Sequence, residues 1–253
     1  MNPAEFQNIA IAEERMWWFR GMRKILEAWV GRWQGRKMET VLEAGCGTGY
    51  MSQWMAERFG WRMFPIDLDW AGLAYGQALG TTRMTQADIT RLPFEDGAFD
   101  GVVSLDVIVH LPRGEEGAAL REFYRVLRPG GALILRVSAL DILRSRHSIF
   151  AHERQRFTLG RIREAVGGAG FEVMDSSYAN SLLLPVALFK FRVWEELMGQ
   201  EPQSGVEVPS GALNWMLELP LRIETLWLRM GGRFFLGQSI LVLAKKSTKD
   251  FAS

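Results

Sequence analysis

Apolar and polar positions change rhythm several times along this chain. Between residues 4 and 33, Trp17, Trp18, Phe19, Met22, Ile25, Leu26 and Trp29 recur at helical spacing and predict a helix with a broad apolar face. Gly31, Gly35 and the charged residues between them end it. From residue 39 to 137, short apolar runs alternate with amphipathic ones, the signature of a parallel sheet wrapped by helices. The spans 40–44, 62–66, 83–86, 99–105 and 132–137 predict strands, and 50–59, 70–79 and 114–127 predict helices. Pro129-Gly130-Gly131 predicts a turn into the fifth strand. Thr158 caps a helix that Gly167, Gly168 and Gly170 stop, and 171–178 and 238–244 predict a sixth and a seventh strand. The apolar run Ser239-Ile240-Leu241-Val242-Leu243-Ala244 suits a strand covered on both faces.

The segment between the last two strands is far too long for a hairpin turn. It reads as two helices, about 183–198 and 212–230, joined by a polar loop rich in Pro, Gln, Ser and Gly. In the second helix Glu218, Arg222, Thr225 and Arg229 recur at helical spacing and leave most of the circumference apolar. Lys190, Arg192, Glu195 and Glu196 interrupt the first. The apolar surface, which includes Phe189, Trp194, Trp215 and Trp227, needs one of three partners. These are the body of the domain, a second copy in a homodimer, or an apolar ligand met at a membrane surface. The chain thus reads as one domain: a helical lid over 1–36, a core over 37–180 and 237–247, and a helical insertion over 181–236.

Composition narrows the partners. With 30 basic and 29 acidic residues among 253, the net charge of +1 offers no field of one sign to gather nucleic acid. A small-molecule or lipidic partner fits better. The single cysteine, Cys46, permits neither an intramolecular disulfide nor a cysteine-rich zinc site. No metal is expected. The start of the chain lacks a basic region followed by an apolar one, and no apolar run reaches membrane-spanning length, so a cytoplasmic location is expected.

The segment Glu43-Ala44-Gly45-Cys46-Gly47-Thr48-Gly49 follows a strand and opens a helix, where an open parallel sheet binds a nucleotide-like ligand. A dinucleotide fingerprint would need glycine at position 50, which is Tyr50. Glu43 would repel a pyrophosphate but attract an ammonium group, such as that of methionine. Asp67, at the end of the second strand, suits the two hydroxyls of a ribose. Asp69 fits better as the cap of the next helix. Asp88 ends the third strand, where it either accepts from an adenine amine, with Ile89 and Leu68 enclosing the ring, or serves as a surface turn. The fourth strand ends at Leu105 and Asp106, with His110 just beyond, and its carboxyl end points at the same crevice.

These motifs resemble, in order and spacing, the class I S-adenosylmethionine-dependent methyltransferases, particularly the methyltransferase-11-like group. The pattern comprises the acid-x-G-x-G-x-G loop, the ribose acid, Asp88-x-x-x-Leu92-Pro93-Phe94, Phe99-Asp100, His110-Leu111 and Leu127-Arg128-Pro129-Gly130-Gly131. Trp17-Trp18-Phe19-Arg20-Gly21 and the segment from His152 to Thr158 resemble a bacterial subset that often carries a helical insertion before the last strand. The resemblance implies a Rossmann-like seven-stranded sheet with the last strand antiparallel and helices on both faces. It implies S-adenosyl-L-methionine held by Glu43, Gly45, Cys46, Gly47, Gly49, Asp67, Leu68, Asp88, Ile89, Leu105 and Asp106. One departure is Val109 where many relatives carry an acid before the His-Leu pair.

A sulfonium donor is already activated, so a base is needed only for a hydroxyl, a protonated amine or an acidic carbon. The candidates are His110 and His152, with Tyr178 and Asp106 behind them. Arg154 and Arg156 suit an anionic acceptor or a solvated surface, and Arg20 or Arg23 suits the donor carboxylate. The insertion is expected to wall the acceptor site, so that exchanging 183–230 for a short linker would keep donor binding and abolish transfer. The competing reading is a cofactor-binding sensor or scaffold that has lost transfer.

Overall fold

The computed structural model describes residues 3–197, 206 and 208–248. Strands β1 (Thr40–Ala44), β2 (Arg62–Asp67), β3 (Thr85–Gln86), β4 (Phe99–Leu105), β5 (Leu127–Ser138), β6 (Phe171–Ala179) and β7 (Ser239–Lys246) form one sheet. Their order is β3-β2-β1-β4-β5-β7-β6, with β7 antiparallel to both neighbours and the other pairs parallel. Chain direction across the sheet reverses between β1 and β4, which opens a crevice at their carboxyl ends.

Because strand side chains alternate, neighbouring residues of β1 serve opposite faces. Leu42, with Val102 and Leu133, packs under α5 (Glu116–Val126) and α7 (Leu159–Gly168) through Leu120, Phe123 and Ile162. Val41, with Val103 and Ile134, packs under α2 (Trp17–Val30) and α3 (Tyr50–Phe59) through Ile25, Trp29 and Met55.

The long amino-terminal helix expected from the pattern is two: α1 (Pro3–Ala12) and α2, separated at Glu13–Met16. Tertiary bonds replace helical ones at the break. Asn214 accepts from the Trp17 N–H at 2.7 Å and donates to the Arg15 carbonyl at 2.8 Å. The Pro129-Gly130-Gly131 turn proves to be a bulge inside β5, since Phe99 pairs with Leu127 but Gly101 with Ala132. Asp100 sits beside it and ties Arg128 to the start of β1, accepting from the Thr40 N–H at 3.0 Å. Strand 83–86 shrinks to Thr85–Gln86, since Arg83 takes a left-handed conformation with φ of 63°. α4 (Trp70–Ala78) begins at an Asp69 cap, as expected. Not foreseen is α6 (Arg146–Phe150), started by a capping box between Ser145 and Ser148.

The insertion differs from two plain helices. Its first part is α8 (Leu184–Phe189), a π-helical turn Lys190–Trp194 and α9 (Glu195–Leu197); Met198 and most of the polar loop lie outside the described residues. Its second part, α10 (Gly211–Arg229), runs alongside α2 despite Pro220 within it. Leu221 and Leu228 are fully buried in the core under α2. Leu221 fills the notch left by Gly21, where a Cβ would come within 2.2 Å of its Cδ1. Buried Glu218 binds Arg20 at 2.9 Å, Lys24 at 2.5 Å and Arg222 at 2.9 Å. Exchanging 183–230 for a linker would therefore uncover α2, so that experiment does not isolate acceptor binding. No helix among the described residues is long and apolar enough to cross a membrane.

Candidate active site

The loop after β1 is built on left-handed glycines: φ is 91° at Gly45, 54° at Gly47 and 75° at Gly49. A Cβ on Gly45 would lie 2.2 Å from Val107, so the loop passes hard against the end of β4. The Gly45 and Cys46 N–H groups donate to the Ile66 carbonyl at 2.9 and 2.8 Å, which pins the loop to β2. Cys46 is buried, and burial pushes its thiol well above the ordinary range, which leaves it a space-filling role.

Asp67, ending β2, accepts from the Gly47 N–H at 2.8 Å through one oxygen and from the Asp69 N–H at 2.9 Å through the other. Each oxygen keeps a lone pair for a further donor. Glu43 is buried and accepts from the Ser52 hydroxyl. Burial, with the charges of Glu13 and Asp67 nearby, raises its pKa to about 8. Asp88 is exposed and accepts from the N–H and hydroxyl of Thr90 at 2.8 Å. Leu68 stands exposed, whereas Ile89 belongs to the core.

At the end of β4, Leu105 is half-buried and Asp106 takes a left-handed conformation with φ of 58°. Arg136 of β5 grips one Asp106 oxygen through Nε at 2.8 Å and Nη2 at 2.6 Å, while its guanidinium lies 5.2 Å from the Trp18 ring centre. The other carboxylate oxygen is buried and has no hydrogen-bond partner among the described residues. A buried acceptor in that state suits a ligand donor. Just beyond, the His110 Nδ1 lies 3.2 Å from the carbonyl of His152, and burial holds the His110 pKa below its ordinary value. Exposed His152, itself left-handed with φ of 58°, thus meets His110 through its backbone.

Several other candidates are committed elsewhere. Arg156 is bound to Glu153, the Ala139 carbonyl and Ser148, so it holds the fold together instead of an anion. The Tyr178 hydroxyl accepts from the Leu159 N–H at the start of α7. Arg20 turns to Glu218. Arg23 remains beside the loop, bonded to the Glu13 carbonyl and 5.1 Å from the Tyr50 ring centre.

Four site residues escaped the sequence reading: Phe6, Glu13, Thr48 and Arg136. Buried Phe6 of α1 lies on Gly47 and Gly72. Buried Glu13 accepts from the Thr48 hydroxyl, 2.8–2.9 Å from both carboxylate oxygens, so the α1–α2 junction is latched to the glycine loop. Burial raises its pKa to about 7 from an ordinary 4.5. The closed position of α1 is thus strongest while Glu13 stays protonated below about 4.5, and weakens as pH rises through 7. Hydrogen exchange, corrected for intrinsic rate, is expected to show α1 losing protection across that window, and Glu13→Gln to flatten the dependence. Equal slopes in both proteins would remove Glu13 as the latch.

Residues 42–135 match the family model for a methyltransferase domain. A probable S-adenosylmethionine-dependent methyltransferase of Mycolicibacterium smegmatis is 30% identical over 66% of this chain and 63% of its own length. This chain therefore spans less than two thirds of that curated relative. An O-methyltransferase of Aspergillus sclerotiorum, resE, is 26% identical over 82% of this chain and 79% of its own. Among solved structures, a chain from the complex of the Haloferax volcanii Trm112 methyltransferase activator with a methyltransferase shares the fold. Its TM-score is 0.61 at 20% identity, covering 97% of this chain and 94% of that one. The left-handed glycines, the two free lone pairs of Asp67 and the orphaned Asp106 oxygen fit an adenosyl sulfonium ligand in the crevice. Residues 42–135 are thus a methyltransferase domain by their matching model, and the reversed seventh strand is the fold of the class I S-adenosylmethionine-dependent methyltransferases.

Proposed function

We propose that this protein transfers a methyl group from S-adenosylmethionine to a small-molecule or lipid-linked acceptor. The observation that carries the reading is the hydrogen bond from Gly47 to Asp67, which fixes a glycine loop and a ribose-type acid on adjacent parallel strands. S-adenosylmethionine, when bound, supplies a methyl group already activated on a sulfonium. The chain has mainly to bind, orient and exclude water, and orientation alone contributes up to about 7–11 kcal/mol.

Asp67 would accept from the ribose hydroxyls, and Glu43 would attract the methionine ammonium, which would favour its ionised form. Asp88 would meet the adenine amine with Leu68 and Ile89 beside the ring. Asp106, held by Arg136, would offer its free oxygen at the reacting end. Phe6 and the α1–α2 junction would close over the loop as a lid. Calorimetry is expected to show binding of S-adenosylmethionine and S-adenosylhomocysteine and none of NAD. Binding of NAD alone would overturn the reading, and labelled donor with no turnover on any metabolite or lipid extract would favour a sensor.

His110 is proposed as the base or acceptor contact, with His152 as its backbone partner. Its Nε2 is the ring nitrogen left to meet a ligand. Because burial lowers its pKa, the neutral form persists to lower pH, and activity is expected to fall only below the usual imidazole range. His110→Ala should cut turnover by about 10²–10⁴-fold while donor affinity stays. Parallel losses of stability and activity would make the ring structural.

A further inference from the structure

The outward face of α10 carries a long apolar stripe. Trp215, Leu219, Ile223, Leu226 and Met230 recur at helical spacing with Trp227 beside them, all exposed, Leu226 by 59%. The stripe continues past the helix, since Trp227 Nε1 donates to the Arg233 carbonyl and Phe235, two residues further along the chain, is 89% exposed. The helix has two acids, Glu218 and Glu224, and both point inward with no exposed surface. Its exposed charges are cationic: Arg222 and Arg229, seven residues apart along one edge of the stripe.

The ion pairs behind that edge are unbalanced. Glu218 is shared by Arg20, Lys24 and Arg222. Glu27 is shared by Arg58 and Arg229, and Asp175 by Arg32 and Arg233. Seven cationic side chains thus share three carboxylates, leaving positive charge along the stripe although the whole chain is near neutral. Near the last turn of α10, Arg58 and Arg229 meet Glu27 in a groove of about 380 Å³. Arg32, held by Asp175 and the Leu228 and Gly232 carbonyls, also lines it, and Glu27 is the one acid among its described lining residues. A phosphate headgroup is the complement of such a groove, and acyl chains are the complement of the stripe.

We infer that this face docks on a bilayer of anionic lipids, with α10 lying along the surface. A second copy of the chain fits less well, because a twofold contact would set the same cationic edges together. α10 also extends from the active-site side of the fold, where Asn214 holds the α1–α2 junction, to the far side, where Arg229 meets Glu27. Docking along it would set the crevice beside the membrane surface, where a lipid-linked acceptor would be presented. Docking is read as binding without turnover, so it fails or succeeds independently of the methyl-transfer reading.

The test is sedimentation of the full chain with phosphatidylcholine vesicles, with and without phosphatidylglycerol. The chain should pellet with the anionic vesicles about tenfold more strongly than with the neutral ones, and less as salt rises. Ile223→Glu with Leu226→Glu should abolish pelleting, and Arg58→Gln with Arg229→Gln should remove the preference for phosphatidylglycerol. Melting temperature and S-adenosylhomocysteine affinity should stay as in the parent, which separates lost docking from lost folding. The inference is overturned if the parent chain stays in solution with both vesicles, or binds both equally. It is overturned likewise if the chain is a dimer that the Ile223→Glu, Leu226→Glu pair dissolves and no vesicle binding is found.

Discussion

Asp67→Ala is expected to weaken S-adenosylmethionine binding by about 1.5–3 kcal/mol for each charged hydrogen bond lost, roughly ten- to a hundredfold or more in Kd. The effect should be large because the carboxylate has two tasks. It is placed to accept from ligand hydroxyls, and it already holds the Gly47 and Asp69 N–H groups. Losing it frees the middle of the glycine loop as well as the start of α4. Asp67→Asn separates the two, since an amide keeps one acceptor oxygen but turns a donor toward one of those N–H groups. Calorimetry with S-adenosylhomocysteine should therefore rank the parent above Asn and Asn above Ala. An unchanged affinity in Asp67→Ala would mean that the ribose lies elsewhere.

The parts of this fold legible in the sequence are those where local pattern and tertiary role agree. β1, β4 and α3 fall at their expected bounds, because each is an apolar or amphipathic run closed by glycine or polar residues. The glycine loop was legible because only glycine readily adopts the left-handed conformations found at 45, 47 and 49. The failures share a different cause. Nothing in the run from 4 to 33 signals a break at Glu13–Met16, because the bonds that replace helical ones come from Asn214, about two hundred residues away. Arg136 looks like an ordinary interruption of an apolar strand until β4 brings Asp106 against it. Phe6 and Glu13 carry no motif; their roles depend on α1 folding back over α4 and the loop. A capping box at Ser145 and Ser148 was in principle readable from spacing, though the segment is short and its apolar pattern weak.

α10 tests the division between inside and outside on one helix. Leu221→Ala should destabilise the protein by about 2–5 kcal/mol, the usual cost of emptying a buried leucine site. Leu221 has no exposed surface, and it seats on Gly21, where α2 has no side chain to move into the gap. The cavity therefore cannot collapse cheaply, which puts the expected loss toward the upper part of that range. Five residues on, Leu226→Ala should change stability by no more than about 0.5 kcal/mol, since that side chain is mostly in water. Chemical denaturation of the two variants measures the difference directly. The same measurement bears on the lid, because the Asn214 contacts to Arg15 and Trp17 lie two helical turns from Leu221 on the same buried face. If α10 loosens from α2, protection of α1 against hydrogen exchange should fall with it. A Leu221→Ala protein as stable as the parent would mean that α10 rests on α2 without sharing its core. The insertion would then be a separable layer, and exchanging it for a linker would again become a clean way to isolate the acceptor site.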